Sequence, residues 1–354
     1  MLKKLSLAAL VAMGSMSVAS ATNLSDAIQN VELTGYTRLR VYQESDKATQ
    51  KRWRTTAAFN FAVPVSNELK FHTDFAFDWD IYNDGTTAGS ANPVNTHMYV
   101  DYTNGKANVK LGKIAVNTPV TATGVGEAVA AGAIATYAVN DNITVAAAAL
   151  DDLVNTDQVT VGGNDTFAGA VIYNSDVADV QVWYFNVDNI IDYDVVVRAD
   201  IKALKDSGVT LHVDYAQSEL SGSDDTNTYY NISAKYSMDE VCVKLGYAAT
   251  GTDGGTVTLD ADSPLANVLG TEQQYSITNT TDNSAFYAKV GYTVDAKTNV
   301  FVAYSAVDAD SSNEVLVGAK YNYTNKFGVY AYYSMLNADS ADNNEARVEL
   351  KYTF

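Results

Sequence analysis

The sequence predicts an all-β protein: a transmembrane antiparallel up-and-down β-barrel of about eighteen strands, with sixteen as the alternative. Apolar and polar residues alternate through segment after segment, which is the period of a half-buried strand. The connections alternate between short and long, which is typical of outer-membrane barrels. The final segment ends on an aromatic residue, Phe354. A soluble β-sandwich is the alternative for such strands, but a sandwich has no reason to sort its connections by length.

Residues 1–21 have the pattern of a secretory signal peptide. A basic start is followed by an apolar run, and the segment ends on Ala19, Ser20 and Ala21, a small-residue cleavage site. We therefore expect the barrel to occupy residues 22–354. The signal segment contains two lysines and no acidic residue, so its removal changes the formal charge from −19 to −21.

The composition excludes several classes of protein. No run approaches the ~18 apolar residues of a membrane-spanning helix. The 24 tyrosines fit the aromatic girdles of membrane barrels. Such an acidic chain argues against nucleic acid as a partner. The single cysteine, Cys242, excludes a disulfide within the chain.

The first and last strands are expected to pair. In residues 31–44, Leu39 and Val41 share one face, and Arg38 and Arg40 share the other. Residues 345–354 alternate in the same way and end on Phe354. An open sheet edge in lipid would leave backbone groups unsatisfied, so a barrel must join these two strands.

The strands between them follow the same alternation. They are expected near residues 52–63, 69–81, 94–103, 106–114, 133–139, 142–150, 166–174, 178–188, 192–203, 208–220, 226–237, 240–250, 284–294, 298–307, 313–324 and 326–336. The segment near 133–139 has the weakest pattern, which leaves sixteen strands open. The longer links, near 82–93, 115–132, 151–165, 250–283 and 337–344, are expected to be external loops.

One of these links, residues 115–132, is more apolar and richer in glycine than an external loop should be. It carries one charge, Glu127. We expect it to fold inward and narrow the pore, with a mobile surface loop as the alternative. The acidic side of this constriction would comprise Glu127 with Asp151, Asp152 and Asp157 of the next loop.

The opposite side would be a basic wall on the polar faces of the first three strands and the last. Its members are Arg38, Arg40, Arg52, Arg54, Lys70, Arg347 and Lys351. A basic wall facing acidic loop residues would create a transverse field across the lumen. The alternative is that these charges serve only to keep the lumen hydrated. Elsewhere the polar faces are acidic, and they include Asp74, Asp78, Asp80, Asp101, Asp194, Asp200 and Asp214.

Several blocks of sequence resemble a known family. They are residues 21–40, the link L-G-K-I-A-V-N (111–117), the block 139–151, and the end from residue 320 to A-R-V-E-L-K-Y-T-F. They are similar to the major outer-membrane porins of Campylobacter and its relatives. The resemblance implies a homotrimer of eighteen-stranded barrels that form water-filled diffusion channels. It also implies that the third loop presents acidic groups at the constriction, at or next to Glu127.

The same resemblance raises a metal hypothesis, because the family's clustered constriction carboxylates could hold a hard cation. Here Ca²⁺ would be bound by Glu127, Asp151, Asp152 and Asp157. No other cofactor is expected. The terminal Phe354 resembles the assembly signal of bacterial outer-membrane barrels, so the barrel-assembly machinery is an expected partner. No serine or cysteine motif singles out a nucleophile, so an enzyme is not expected; its candidate residues would be His72 and His212.

The expected function is passive diffusion of small hydrophilic solutes and ions across the outer membrane. The acidic charge favours a modest preference for cations. A substrate-selective channel is the first alternative, and it would show saturable conductance. A structural or adhesive surface barrel is the second, and it would show no conductance.

Overall fold

The chain forms one antiparallel sheet of eighteen strands that closes on itself. The computed structural model describes residues 30–45, 49–83, 94–122, 127–202, 204, 207–274, 276–339 and 342–354. The expected signal peptide lies outside these residues. No helix in the described part of the chain is long and apolar enough to cross a membrane. Eighteen strands confirm the predicted fold class.

The strands, in chain order, are β1 (Glu32–Ser45), β2 (Thr49–Pro64), β3 (Leu69–Asn83), β4 (Val94–Asn104), β5 (Ala107–Ala115), β6 (Val129–Ala138), β7 (Ile143–Val154), β8 (Thr166–Asn174), β9 (Ala178–Val187), β10 (Ile191–Ile201), β11 (Val209–Leu220), β12 (Thr226–Met238), β13 (Val241–Thr250), β14 (Ser284–Thr293), β15 (Thr298–Val307), β16 (Ser312–Asn322), β17 (Phe327–Asn337) and β18 (Asn343–Thr353). Each pairs with its neighbours in sequence, and β1 also pairs with β18.

The barrel closes where β1 meets β18, as the alternation predicted. Their register runs from Tyr36 opposite Thr353 to Ser45 opposite Asn344. Beyond the last strand residue, the Phe354 N–H donates to the Gly35 carbonyl at 3.0 Å. The Phe354 ring packs on Phe59, with ring centroids 5.6 Å apart. A Cβ at position 35 would lie 2.1 Å from the Ala58 carbonyl oxygen and 2.9 Å from the Phe354 ring, so this close seam requires glycine.

Alternation along each strand gives the barrel two chemically distinct faces. Large apolar and aromatic side chains are exposed on the outside, among them Leu33, Trp53, Phe75, Val182, Tyr184, Leu245, Phe286, Val302 and Val348. The inner face carries charged side chains, including Arg38 and Arg40. An apolar exterior matches a hydrocarbon surrounding, and a polar interior matches water.

The strands β6 and β7 differ most from their predicted bounds. β6 starts at Val129, inside the predicted loop, and β7 continues to Val154. The register between them shifts between Val129 and Ala131, and this irregularity allows both strands to extend. Asp151 and Asp152 consequently lie at the end of β7 and not in a loop.

The connection between β13 and β14, residues 251–274 and 276–283, turns into the barrel and is called the inner loop below. The Ser218 hydroxyl on the inner face of β11 bonds to the Thr256 carbonyl. The inner loop buries Val257, Leu259, Leu265, Leu269 and Ile277 against inward-facing side chains such as Phe185, Tyr229 and Tyr287. The sequence predicted an external loop here; the buried apolar side chains are the physical reason for the inward course.

Candidate functional site in the barrel lumen

Eight inward-facing charged residues on four neighbouring strands form what we call the charged wall: Arg38, Arg40, Arg52, Arg54, Asp78, Asp80, Arg347 and Glu349. Arg54 bonds to Asp78 through two nitrogens, and its Nε donates to Oδ1 at 3.0 Å. The Thr56 hydroxyl donates to the same carboxylate at 2.8 Å. The guanidinium of Arg40 lies 3.8 Å from Asp78. One carboxylate on β3 therefore serves arginines from β1 and β2.

The remaining ion pairs of the charged wall lie at the seam between β1 and β18 and between β2 and β3. Arg347 donates to Glu349 at 2.6 Å, and Arg38 lies 4.0 Å from the same carboxylate. Arg52 lies 3.8 Å from Asp80. All five arginines are thus within 4.0 Å of a carboxylate. These pairs explain how so many arginines can lie side by side.

The buried ring of Tyr42 lies among three of these arginines. The guanidinium carbons of Arg52, Arg347 and Arg40 are 4.6, 5.5 and 5.8 Å from its ring centroid. Aromatic faces attract cations, so Tyr42 reduces the repulsion between the arginines. Its inward position follows from the alternation on β1, but its role was not evident in the sequence.

The two lysines predicted for the basic wall lie towards the end of the barrel that carries the short connections. Lys70 stands at the start of β3, and its Nζ is 3.3 Å from Glu32. Lys351, near the end of β18, lies over the Tyr36 ring at 4.5 Å. Lys351 is directly opposite Arg38. The structure therefore places the predicted basic residues on one continuous part of the inner face.

The four predicted acidic residues lie in three different settings. The Glu127 carboxylate is 2.9 Å from Nε2 of His97, whose Nδ1 is 2.5 Å from Asp74. Asp151 and Asp152 are exposed. Asp157 accepts a hydrogen bond from the Ala261 N–H at 2.8 Å. Within the described ranges, no group of three or more His, Cys, Asp or Glu residues is arranged to hold a metal ion. The calcium site stays a prediction.

Three loops meet inside the barrel, and we call their contact the loop junction: Val120, Ala122, Asp157, Leu259 and Asp260. The Val120 carbonyl accepts from the Leu259 N–H at 2.9 Å. The Asp260 carboxylate accepts from the backbone N–H groups of Ala122, at 2.7 Å, and Asp157, at 3.2 Å. Burial raises the pKa of Asp260 to about 6, and the nearby charges of Asp157 and Asp262 act in the same direction.

The other end of the inner loop is held by the fully buried Glu314 on β16. Its carboxylate accepts from three consecutive backbone N–H groups, those of Glu272 at 3.1 Å, Gln273 at 3.0 Å and Gln274 at 2.7 Å. The Ser334 hydroxyl donates to it at 2.6 Å. We call these contacts the Glu314 anchor. The Glu272 side chain then reaches the charged wall, 3.3 Å from Arg347.

A second set of charges lies on the inner face of β10 to β14. Asp214 is buried and accepts from Arg198 at 2.8 Å and from Asn231 at 3.0 Å, and His212 is 2.8 Å from it. Lys244 stands directly opposite Lys235 on one side and Lys289 on the other. A cavity of about 300 Å³ separates part of this surface from the inner loop.

Sequence reasoning did not single out Asp260, Glu272 or Glu314 as parts of the lumen. Glu314 shares the inward period of β16, which is a usable signal. Asp260 and Glu272 lie in a segment that looks like an acidic surface loop. Only the spacing of apolar residues around them, such as Leu259 and Leu265, indicates a buried course.

Comparison with known proteins agrees with this geometry. A family model described as the Campylobacter major outer membrane protein matches residues 1–354. The chain belongs to this family. The resemblance found in the sequence is thereby confirmed, and the barrel is a porin of the outer membrane. No curated protein matches the chain.

Solved porin structures share the fold of this chain. OccK5 (OpdH) of Pseudomonas aeruginosa has a TM-score of 0.75 at 13% identity, over 92% of this chain and 98% of that chain. OpdQ of the same organism has a TM-score of 0.74 at 14% identity, over 92% and 99%. OccAB1 of Acinetobacter baumannii has a TM-score of 0.77 at 13% identity, over 96% and 99%. At such identities the likeness concerns the fold.

Proposed function

We propose that this porin is a diffusion channel for small hydrophilic solutes and ions, with a modest preference for cations. The observation that carries the proposal is the charged inner face of a closed barrel, narrowed by loops that pack within it. Fixed charges and hydrogen-bonding groups on a pore wall replace part of the hydration of a passing ion.

The cation preference rests on the balance of charge. Each arginine of the charged wall lies beside a carboxylate, so the wall contributes less positive potential than its residue types suggest. The loops add Glu127, Asp157, Asp260 and Asp262. The lysines of β12 to β14 act in the opposite sense, which is why the preference should be modest. We propose that residues 115–132 form part of the constriction together with the inner loop.

Single-channel recording across a planar bilayer with a KCl gradient tests the proposal. We expect discrete steps and a reversal potential of the sign that marks cation selectivity. Glu127→Gln should move that potential towards zero, whereas Asp224→Asn, in the exposed link between β11 and β12, should not. A folded barrel that passes no current would refute the channel. An unchanged reversal potential in Glu127→Gln would show that this residue does not contribute to the cation selectivity.

Three further features belong to the proposal. We propose that the functional unit is a homotrimer, which predicts current steps in groups of three. Phe354, seated at the seam, is proposed to engage the barrel-assembly machinery. Ca²⁺ at Glu127, Asp151, Asp152 and Asp157 predicts a change in conductance when a chelator is added.

A substrate-selective channel is the second candidate function. It is favoured by an apolar cavity on the inner face of β6 to β9, in a lumen that carries the charged wall elsewhere. The measurement is the decrease in ionic current as a solute is added. If this decrease saturates with the concentration of one class of solute, the channel is substrate-selective and does not work by free diffusion alone.

A further inference from the structure

The cavity on the inner face of β6 to β9 has a volume of about 270 Å³. The barrel wall contributes Ile134, Ala148, Leu150 and Phe185, and the loops contribute Val116 and Leu259. None of the described residues that line it carries a charge. Asn117, which is exposed, lies at its rim. We call this space the apolar pocket.

Two stacked aromatic residues line the apolar pocket. Trp183 and Phe185 are two residues apart on β9 and both point inward. Their rings are parallel, with an interplanar angle of 2° and centroids 5.8 Å apart. The indole Nε1–H donates to the Gln181 side chain at 3.0 Å, so what Trp183 offers the pocket is its apolar ring. Aromatic surfaces of this kind favour planar apolar groups.

One polar atom in the lining stands out. The Thr166 side chain is 98% buried, since its residue exposure is 2%. Its hydroxyl makes no hydrogen bond to any residue in the described part of the chain. A buried hydroxyl without a partner is unfavourable by about 1–3 kcal/mol. A bound molecule with a hydroxyl of its own would remove that cost once rotation of the Thr166 side chain turns Oγ1 towards the pocket.

We propose that the apolar pocket is a binding subsite for an uncharged aromatic ring that carries a hydroxyl group. A charged ligand is excluded because burying a charge here would leave it without a partner. A dry cavity of about 150 Å³ is enough for benzene. A pocket of about 270 Å³ therefore has room for a substituted ring. This inference rests on the proposed function, in which solutes pass through the lumen. It adds a site in the lumen where amphipathic solutes bind on their way through.

The three tryptophans of the chain allow a direct binding measurement. Trp53 and Trp79 lie on the outer face, so a W53F/W79F protein reports on Trp183 alone. The full-length protein in detergent would be titrated with 4-bromobenzyl alcohol, whose bromine quenches indole fluorescence. We expect saturable quenching. The polar, acyclic 2-bromoethanol should give only weak quenching, linear in its concentration.

Substitutions in this background test the location. Ala148→Leu fills the apolar pocket and should weaken binding at least tenfold. Ala135→Leu is the matched control, because it adds the same atoms on the neighbouring strand but on the outer face. Thr166→Val preserves shape and should lower the affinity for 4-bromobenzyl alcohol about two- to tenfold, the range that one hydrogen bond gives. It should leave the affinity for 4-bromotoluene unchanged. Migration before and after heating on a gel confirms that each variant is folded.

Three results would overturn the inference. The first is quenching by 4-bromobenzyl alcohol that does not saturate and equals that by 2-bromoethanol; the second is equal binding of the probe to Ala148→Leu and Ala135→Leu. The third is a Thr166→Val protein in which the affinities for 4-bromobenzyl alcohol and 4-bromotoluene fall by the same factor. Conductance in KCl is recorded for the same proteins. If the channel conducts but does not bind the aryl probe, the proposed function stands and the proposed binding subsite is refuted. If the barrel binds the probe but passes no current, the binding subsite stands and the proposed channel function is refuted.

Discussion

Removal of the charge at the Glu314 anchor should release the inner loop. In Glu314→Gln one carboxylate oxygen becomes an NH₂ group, which cannot accept the hydrogen bonds that the oxygen accepted. Hydrogen bonds to a charged group contribute about 1.5–3 kcal/mol each, and at least one of the three backbone bonds is lost. Removing a buried charge offsets part of this loss. A net change of about 2 kcal/mol would make release of the loop about thirtyfold more frequent.

Two assays follow the release. Single-channel records should show more frequent current fluctuations, because the inner loop moves in and out of the lumen. Glu272 is the sole glutamate of residues 251–283, so a glutamate-specific protease should cut there faster in the variant. Ser334→Ala, which removes one donor and leaves the three backbone donors in place, should have a smaller effect. The reasoning fails if Glu314→Gln matches the wild type in both current noise and the rate of cleavage after Glu272.

Three other perturbations give sharp expectations. The raised pKa of Asp260, about 6 against a usual value of 3.8, means that the docked loop holds its proton to higher pH than the released loop. Docking of the inner loop should therefore be strongest below about pH 3.8 and should weaken as the pH rises to about 6. Current fluctuations should accordingly be fewer at pH 4 than at pH 7.5. This difference between the two pH values should disappear in Asp260→Asn. Gly35→Ala should destabilise the seam by about 2 kcal/mol through overpacking, seen as unfolding at a lower temperature on gels, while Thr37→Ala should not. Arg54→Gln should increase cation selectivity in reversal potentials, because Asp78 loses its nearest cation; a shift towards anions would contradict the pairing.

The strands could be predicted because each one is a local pattern. A period of two within ten residues fixes which side chains share a face, so Arg38 and Arg40 could be assigned together from the sequence. Closure between β1 and β18 followed from the requirement that no strand edge remain open. The partners of the arginines were harder to foresee. The Arg54–Asp78 pair depends on the register of β2 against β3, which shifts between Trp53 and Arg54.

The inner loop was not predictable by the same means. Its contacts join residues far apart in the chain: the Asp260 carboxylate accepts from Ala122, 138 positions away. Nothing in the local pattern of residues 251–283 encodes that distance. The bounds of β6 and β7 failed for a related reason, because an irregular register is a property of two strands together.

The apolar inner face of β6 to β9 and the course of the loops explain each other. An apolar wall exposed to a water-filled lumen would be unfavourable, at roughly 25 cal/mol for each Å² left in contact with water. The loops cover much of it with Val116, Val120 and Leu259, which pack in one cluster with Leu150, Leu153 and Phe185. The loops in turn would have no apolar surface to bind if that wall were charged like β1 to β3. The inward position of the loops therefore results from the same burial that stabilises them. Ala148→Asp, which makes the wall polar, should loosen the loops and also weaken the binding of 4-bromobenzyl alcohol in the apolar pocket.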